Sequence, residues 1–421
     1  MTTASALNTT YQQSNLPWKF RLLNWAGDRI NLNHLPWLEL TEKSLLTTAQ
    51  NQTGLSDWGN EDFRTPLKIV LESLNSEANL SLIGRYFFRE YFIRLLVNRL
   101  QLQQDFQRYP EIFQVPIEKP LFVIGFFRSG TTFLHNLLSS DPGSRWLHVA
   151  EVMNPCPAPQ QETWEKDPRI EQAKNLLKFQ ESLAPNYSTA LAIDANRPAE
   201  CSRLFEHGFI GHQFDFRANV KTYSEWLDRQ DLVDAYQYYR QQLQYLSWRW
   251  SGSHWLFKAP AHLFAMDALL KVFPDACIVH IHRDPIKAVP SCCSLSAMGR
   301  GRFSERVELT EVGSHWLNLL SKGVDRTMQA RAGVGAERFF DVQYVDLIKK
   351  PIETVRQIYD YFGYTYSDRM EEDVKKWIQE NPQHKYGVHR YTLDQFGLTT
   401  EQINQKFAKY CERFNVTKEG K

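Results

Sequence analysis

Residues 121–132 read Leu121-Phe-Val-Ile-Gly-Phe-Phe-Arg-Ser-Gly-Thr-Thr132. The run Leu121-Phe-Val-Ile has the length and continuous apolarity of a short strand buried on both faces, the mark of a parallel sheet. Gly125 and Gly130 are separated by four residues and followed by two hydroxyl residues, which is the spacing of a phosphate-binding loop. Glycines let the backbone curl until several N–H groups converge on one anion, and a helix beginning at its exit adds partial positive charge. Residues 133–138 carry that helical spacing. A nucleotide-triphosphate loop would place lysine at position 131 to reach the β- and γ-phosphates. This chain has Thr131 there, and the loop's cation is Arg128. The segment is therefore expected to bind an anion, with Arg128, Ser129, Gly130, Thr131 and Thr132 around it. The alternative within loops of this kind is a kinase-like enzyme using a nucleoside triphosphate, against which Thr131 counts.

Working outward, further strands are expected at 255–258, 277–281 and 340–344, alternating with helices at 262–273 and through Ile352, Val355 and Ile358. Alternation of this kind predicts an α/β fold, a three-layer α/β/α arrangement around a parallel sheet, with ligands at the carboxyl ends of the strands. Residues 151–252 interrupt the alternation, look helical, and are the natural place for an acceptor-binding insertion. Before the first strand, residues 65–107 carry apolar side chains at helical intervals (Leu67, Val70, Leu71 and Leu74, later Phe92, Leu95, Leu96 and Leu100). The expected division is a mainly helical region over 1–114 and a nucleotide-binding domain over 115–421. The stretch 80–100 is amphipathic with several arginines, so a peripheral membrane contact was weighed against an ordinary packed helix, which the pattern favours.

Composition restricts the partners. The 49 basic and 48 acidic residues leave a net charge of +1, which disfavours a nucleic-acid partner while leaving room for a local cationic pocket. No stretch approaches the roughly 18 apolar residues of a membrane span. The N-terminus lacks the basic-then-apolar layout of a secretory signal, and the six cysteines show no disulfide or zinc spacing. A cytoplasmic location is the expectation, with no metal; oligomeric state is not legible.

The motifs, taken in order, resemble those of sulfotransferases that use 3′-phosphoadenosine-5′-phosphosulfate (PAPS) and release 3′-phosphoadenosine 5′-phosphate (PAP). Arg128-Ser-Gly-Thr-Thr132 after an apolar strand, with Asp141-Pro142 downstream, resembles the family's 5′-phosphosulfate loop. His282-Arg-Asp-Pro-Ile-Lys-Ala-Val-Pro-Ser291 resembles its 3′-phosphate element, in which an arginine and a serine eight residues on grip the phosphate: here Arg283 and Ser291. Pro290 inside that helix is expected to remove a hydrogen bond and kink it. Gln343-Tyr-Val-Asp-Leu with Pro351 resembles a later segment whose tyrosine contacts the nucleotide, implying Tyr344. The resemblance spans residues 118–414 and is nearest to the broad, mainly bacterial type 3 branch, to which Gly387-Val-His-Arg-Tyr and Phe396-Gly-Leu also correspond. It implies a P-loop nucleotide-hydrolase-like fold and says little about residues 1–110.

Sulfuryl transfer needs cations on the bridging and leaving oxygens and a base for the acceptor hydroxyl, with less call for a metal clamp than phosphoryl transfer. Lys258, ending the strand Trp255-Leu-Phe, matches the family lysine that stabilises the transferring group. Two residues compete for the base. Glu151 lies 23 residues after Arg128 and resembles the catalytic glutamate of tyrosylprotein sulfotransferases. His262 resembles the histidine after the lysine in cytosolic sulfotransferases, at a spacing of four where that group has two. Glu200 and His207 rank behind them. Phe205, Phe209, Phe214, Tyr223 and Trp226 in the insertion fit either an apolar small-molecule, lipid or secondary-metabolite acceptor or mere packing of its helices. A catalytically inactive PAP-binding interaction module on the same fold is the remaining alternative, disfavoured by the intact Lys258.

Overall fold

The computed structural model describes residues 10–12, 16–30, 35–183, 195, 197–382 and 391–420. The corresponding segment Gly387-Val-His-Arg-Tyr falls outside them except for Tyr391. In chain order the strands are β1 (Thr10–Gln12), β2 (Leu121–Gly125), β3 (Ser144–Trp146), β4 (His254–Lys258), β5 (Cys277–His282), β6 (Arg306–Glu308) and β7 (Phe339–Gln343). Five of them form a wholly parallel sheet in the order β3-β4-β2-β5-β7, while β1 and β6 pair as a small antiparallel ribbon. β2, the strand that opens the sheet in sequence, lies at its centre. In the sheet's register Val123 stands opposite Lys258, Gly125 opposite Ile281, and His282 opposite Gln343. The carboxyl ends of β2, β4, β5 and β7 therefore open onto one rim.

Both faces of the sheet are covered, as an α/β/α architecture requires. Alternate residues of β2 point to opposite sides: Phe122 and Ile124 join one core, Leu121 and Val123 the other. The second core is closed by helices Thr131–Leu138, Pro351–Phe362 and Asp368–Glu380. The first is much larger. It includes the insertion and helices Glu42–Thr53, Arg64–Ser76 and Leu82–Arg108, so the region before residue 115 shares its core with the sheet.

One element differs from the sequence reading. The helix expected over 262–273 begins as a tight 3-10 turn, Pro260–Ala265, and becomes α-helical only at Met266. Pro260 at its first position explains the boundary, since proline supplies no N–H and fixes φ. The stretch 80–100 lies in the long helix Leu82–Arg108, which is embedded on most sides: Phe88, Phe92, Leu96 and Leu100 are fully buried. Even its arginines turn inward. Arg89 donates to the Ser44 hydroxyl at 3.0 Å and Arg99 to the Trp58 carbonyl at 3.2 Å. This stretch offers no broad apolar face to a membrane. No helix among the described residues is long and apolar enough to cross one.

Gly84 is where the long helix meets the loop at Phe303. A Cβ built at Gly84 would lie 1.9 Å from the Phe303 carbonyl oxygen, so the backbones touch because no side chain intervenes. Gly84→Ala should lower unfolding free energy by about 1–3 kcal/mol, as overpacking against backbone does. Chemical denaturation checks this, and an unchanged midpoint would show that the contact yields freely.

Candidate active site

The loop leaving β2 has the backbone that its glycines permit. Gly125 (φ +148°) and Gly130 (φ +89°) lie in conformations that side chains disfavour, and Arg128 shares the left-handed region at φ +71°. Space is also restricted. A Cβ at Gly125 would fall 2.6 Å from the Ile281 carbonyl oxygen, and one at Gly130 would fall 3.0 Å from the Tyr344 ring. The Ser129 hydroxyl closes the turn onto the Phe126 carbonyl at 2.7 Å. Helix Thr131–Leu138 starts at Gly130 with no side-chain cap, so its first amides face the loop without an intramolecular acceptor from the capping side chain. These amides are the cradle that an oxyanion group fits. Thr131 is buried in the first turn and Thr132 is exposed.

The 3′-phosphate element packs directly against this loop. Asp284 caps helix Pro285–Arg300 through the Ile286 N–H at 3.0 Å. The helix continues through Pro290, and Ser291 accepts a hydrogen bond from Arg128 Nε at 3.3 Å. The Arg283 guanidinium lies over the Tyr344 ring, 4.0 Å from its centroid, and one of its nitrogens donates to the Arg128 carbonyl. Arg128, Ser291, Arg283 and Tyr344, read from three separate motifs, are thus mutual neighbours. Lys258 ends β4 on the same rim, almost fully buried.

The family model for sulfotransferases matches residues 120–368. The chain belongs to the sulfotransferase family. Among solved structures, this sulfotransferase is similar to STF9 of Mycobacterium avium, with 30% identity and a TM-score of 0.83 over 91% of this chain and 99% of that one. It is also similar to STF1 of Mycobacterium tuberculosis, with 33% identity and a TM-score of 0.78 over 88% and 98% of the two chains. A curated relative, the omega-hydroxy-beta-dihydromenaquinone-9 sulfotransferase Stf3 of Mycobacterium tuberculosis, is 23% identical over 306 residues, 70% of this chain and 75% of that protein.

The two favoured base candidates occupy structural positions in this sulfotransferase. Glu151 is completely buried and clasped by the Arg145 guanidinium, which is itself sandwiched at 4.1 Å and 4.8 Å from the Trp250 and Trp255 rings. It also accepts from the His148 N–H at 2.7 Å, completing a capping box on helix Val149–Met153. Burial alone would raise its pKa, but Arg145 and His148 outweigh that and hold it down at about 2. A carboxylate so occupied is a poor proton acceptor. His262 has both ring nitrogens engaged, Nδ1 with the Tyr236 hydroxyl at 2.6 Å and Nε2 with Cys201 Sγ at 3.2 Å. Burial lowers its pKa to about 3. His207 is likewise a core residue, between Gln242 and Asn98, its pKa lowered by burial to about 4.

Glu200, ranked lower in the sequence, is the carboxylate that reaches the rim. Lys258 Nζ donates to its Oε1 at 2.6 Å, and Gln213 Nε2 donates to Oε2 at 3.2 Å and to Ser202 Oγ at 2.9 Å. The Glu200 side chain remains about one quarter exposed, whereas Glu151 has no exposure. Burial pushes the Glu200 carboxyl up, but Lys258, assisted by Gln213, brings it below the usual carboxylate range. Glu419 is a residue that the sequence reading did not name. Its two carboxylate oxygens take Arg283 Nε and Nη2 at 2.7 Å and 2.9 Å, and its N–H donates to Asp284 at 3.2 Å. Of the insertion aromatics, Phe205, Phe209, Phe214 and Tyr223 are buried in the large core, so those four rings serve packing.

Glu151 yields a pH prediction. Folding depresses its pKa from 4.5 to about 2. Its stabilisation is therefore complete above pH 4.5 and is lost as pH falls from there towards 2. Glu151→Gln should cost about 3 kcal/mol at pH 7, and about half that at pH 3. Denaturant titrations at both values check it; an equal loss at both would mean the carboxylate's charge is not what Arg145 requires.

Proposed function

We propose that this sulfotransferase takes PAPS as donor, bound across the rim formed by Arg128, Lys258, Arg283 and Tyr344, and transfers its sulfuryl group to an acceptor hydroxyl activated by Glu200. The observation that carries this reading is the meeting of the β2 loop and the β5 helix: Arg128 bonded to Ser291, and Arg283 stacked on Tyr344. The donor supplies an activated sulfuryl group on a nucleotide that bears a separate 3′-phosphate. Loop amides and the helix start at Thr131 suit the 5′-phosphosulfate oxygens, Arg128 and Ser291 stand between the two anionic ends, and Arg283 offers two parallel N–H groups to the 3′-phosphate.

Lys258 and Glu200 are then coupled. In this structure Lys258 is neutralised by Glu200. When Lys258 turns to the oxygen bridging sulfur and phosphate, Glu200 loses the cation that keeps its pKa low and becomes a stronger proton acceptor. Gln213 holds the carboxylate in place through this exchange. The acceptor hydroxyl loses its proton to Glu200 as its oxygen attacks sulfur in line, while Lys258 stabilises charge on the departing phosphate oxygen. Glu200→Gln should lower single-turnover rate about 10²–10⁴-fold, measured below its melting temperature on protein shown to be folded by circular dichroism. The acid limb of kcat/KM, which reports the unliganded enzyme, should lie below the ordinary glutamate range. Full rate in Glu200→Gln would remove it as base.

Phe127, inside the loop, packs against Phe216 and Trp316 with ring centroids 4.8 Å and 5.6 Å away. These rings pack within the large core beside Arg128; an apolar acceptor is supported instead by the lipid named for Stf3. The insertion over 151–252 and the helical region over 1–114 would frame this acceptor side. Incubation with labelled PAPS and a panel of hydroxylated lipids and phenols should release PAP and label an acceptor; no PAP release with any of them would contradict the reading.

The Glu419 carboxylate lies where Arg283 would receive the 3′-phosphate, so the two anions compete. Glu419→Gln should tighten PAP binding severalfold, and Arg283→Ala should weaken PAP about tenfold or more while leaving adenosine 5′-phosphate little changed. Calorimetry with both ligands checks this; equal weakening of the two by Arg283→Ala would place Arg283 elsewhere.

A further inference from the structure

The N-terminal helix Trp18–Ile30 is amphipathic in the reverse sense. Trp18, Leu22 and Trp25 recur at helical intervals along one stripe, and they are 71%, 54% and 53% exposed. The inward side carries Asn24 and Gly27. Asn24 Oδ1 accepts the Ile83 N–H at 3.2 Å, and a Cβ on Gly27 would stand 2.9 Å from Leu82 Cβ. The helix is thus docked by Phe20, which packs against the large core, with a polar residue and a glycine beside it, and this docking turns its indoles outward. Leu23 is exposed on the flank between this stripe and the docked side, and Trp37 and Tyr86 meet edge to face at 6.4 Å, each about half exposed. Trp37 lies in the turn Pro36–Leu38, which packs on the helix Leu82–Arg108, and Tyr86 belongs to that helix, the one that also seats Trp18–Ile30. Six of the nine exposed large apolar side chains among the described residues fall in this group. A soluble surface seldom keeps so many together.

The composition of this face indicates what covers it. Indole and phenol rings have polar tips and collect at membrane interfaces, where one end is apolar and the other wet. Lys19 and Arg21 lie exposed at its edges. Such cations complement anionic headgroups, whereas pairing two copies of the face would bring the same cations together. We propose that this face docks on the surface of an anionic lipid bilayer, with Trp18, Leu22 and Trp25 at headgroup depth and Lys19 and Arg21 against lipid phosphates. The helix would lie on the bilayer without crossing it. The inference stands apart from the sulfuryl-transfer reading, although a lipid acceptor would be met at that surface.

The test uses the full chain without nucleotide, sedimented with vesicles of phosphatidylcholine containing phosphatidylglycerol, or of phosphatidylcholine alone. Binding should be strong to the anionic vesicles and weakened about tenfold by Lys19→Glu with Arg21→Glu, by raised salt, or by neutral lipid. Trp18→Glu with Leu22→Glu should reduce it about tenfold or more, with the melting temperature little changed because both side chains are more than half exposed. Sedimentation velocity without lipid should give a monomer. Absence of vesicle binding, or binding indifferent to both double substitutions, would overturn the proposal. So would a dimer dissolved by Trp25→Glu, which would assign the face to a second copy. Because no donor is present, none of these outcomes bears on PAPS turnover.

Discussion

Parallel pairing of β2 with β4 on one side and β5 on the other positions everything in the proposed donor site. Strands in parallel register end on the same rim, so residues far apart in sequence emerge side by side. Val123 opposite Lys258 and Gly125 opposite Ile281 bring the phosphate loop beside the lysine and beside the start of the Arg283 helix. β7 adds Tyr344 on the outer side of β5. The close approach depends on the two loop glycines, where a side chain would strike the Ile281 backbone or press on the Tyr344 ring. Any residue at Gly125 larger than glycine would force β2 and β5 apart at the point where their loops must touch.

A rim with several cations raises an electrostatic problem before an anion arrives. Buried unpaired charge is costly, and the structure resolves it with two carboxylates: Glu200 on Lys258 and Glu419 on Arg283. Under the proposed assignment, binding the donor exchanges these internal partners for sulfuryl and phosphate oxygens, so affinity reports a difference between two paired states. The exchange at Lys258 has a chemical consequence, since it releases a base beside the reacting group. Arg145 and Glu151 show the contrasting case. That pair is sealed between indoles away from solvent.

The sheet was legible because β2, β4 and β5 are buried on both faces and so read as apolar runs, and because Arg128, Lys258 and Arg283 lie at or just beyond their carboxyl ends. β3 was missed: Ser144–Trp146 is a three-residue edge strand without an apolar run. Its central residue, Arg145, is what captures Glu151, so missing the strand also concealed why that glutamate is buried. His262 shows a different limit. Its spacing from Lys258 is the same whether the ring faces the rim or the core, and only Tyr236 and Cys201, distant in sequence, determine which. Glu200 and Glu419 lie in segments with no regular period, and their partners are set by tertiary contact. The reversed helix Trp18–Ile30 was equally hidden, because an apolar stripe in a sequence says nothing about which side of the helix meets the protein.

The central claim is that this rim recognises a nucleotide with anionic groups at both its 3′ and 5′ positions. The most direct measurement is a calorimetric titration of the unmodified chain with PAP and, separately, with adenosine 5′-phosphate. The account predicts binding of PAP about tenfold or more tighter, the contribution of charged hydrogen bonds from Arg283 to the 3′-phosphate. Equal affinity for the two nucleotides would contradict it.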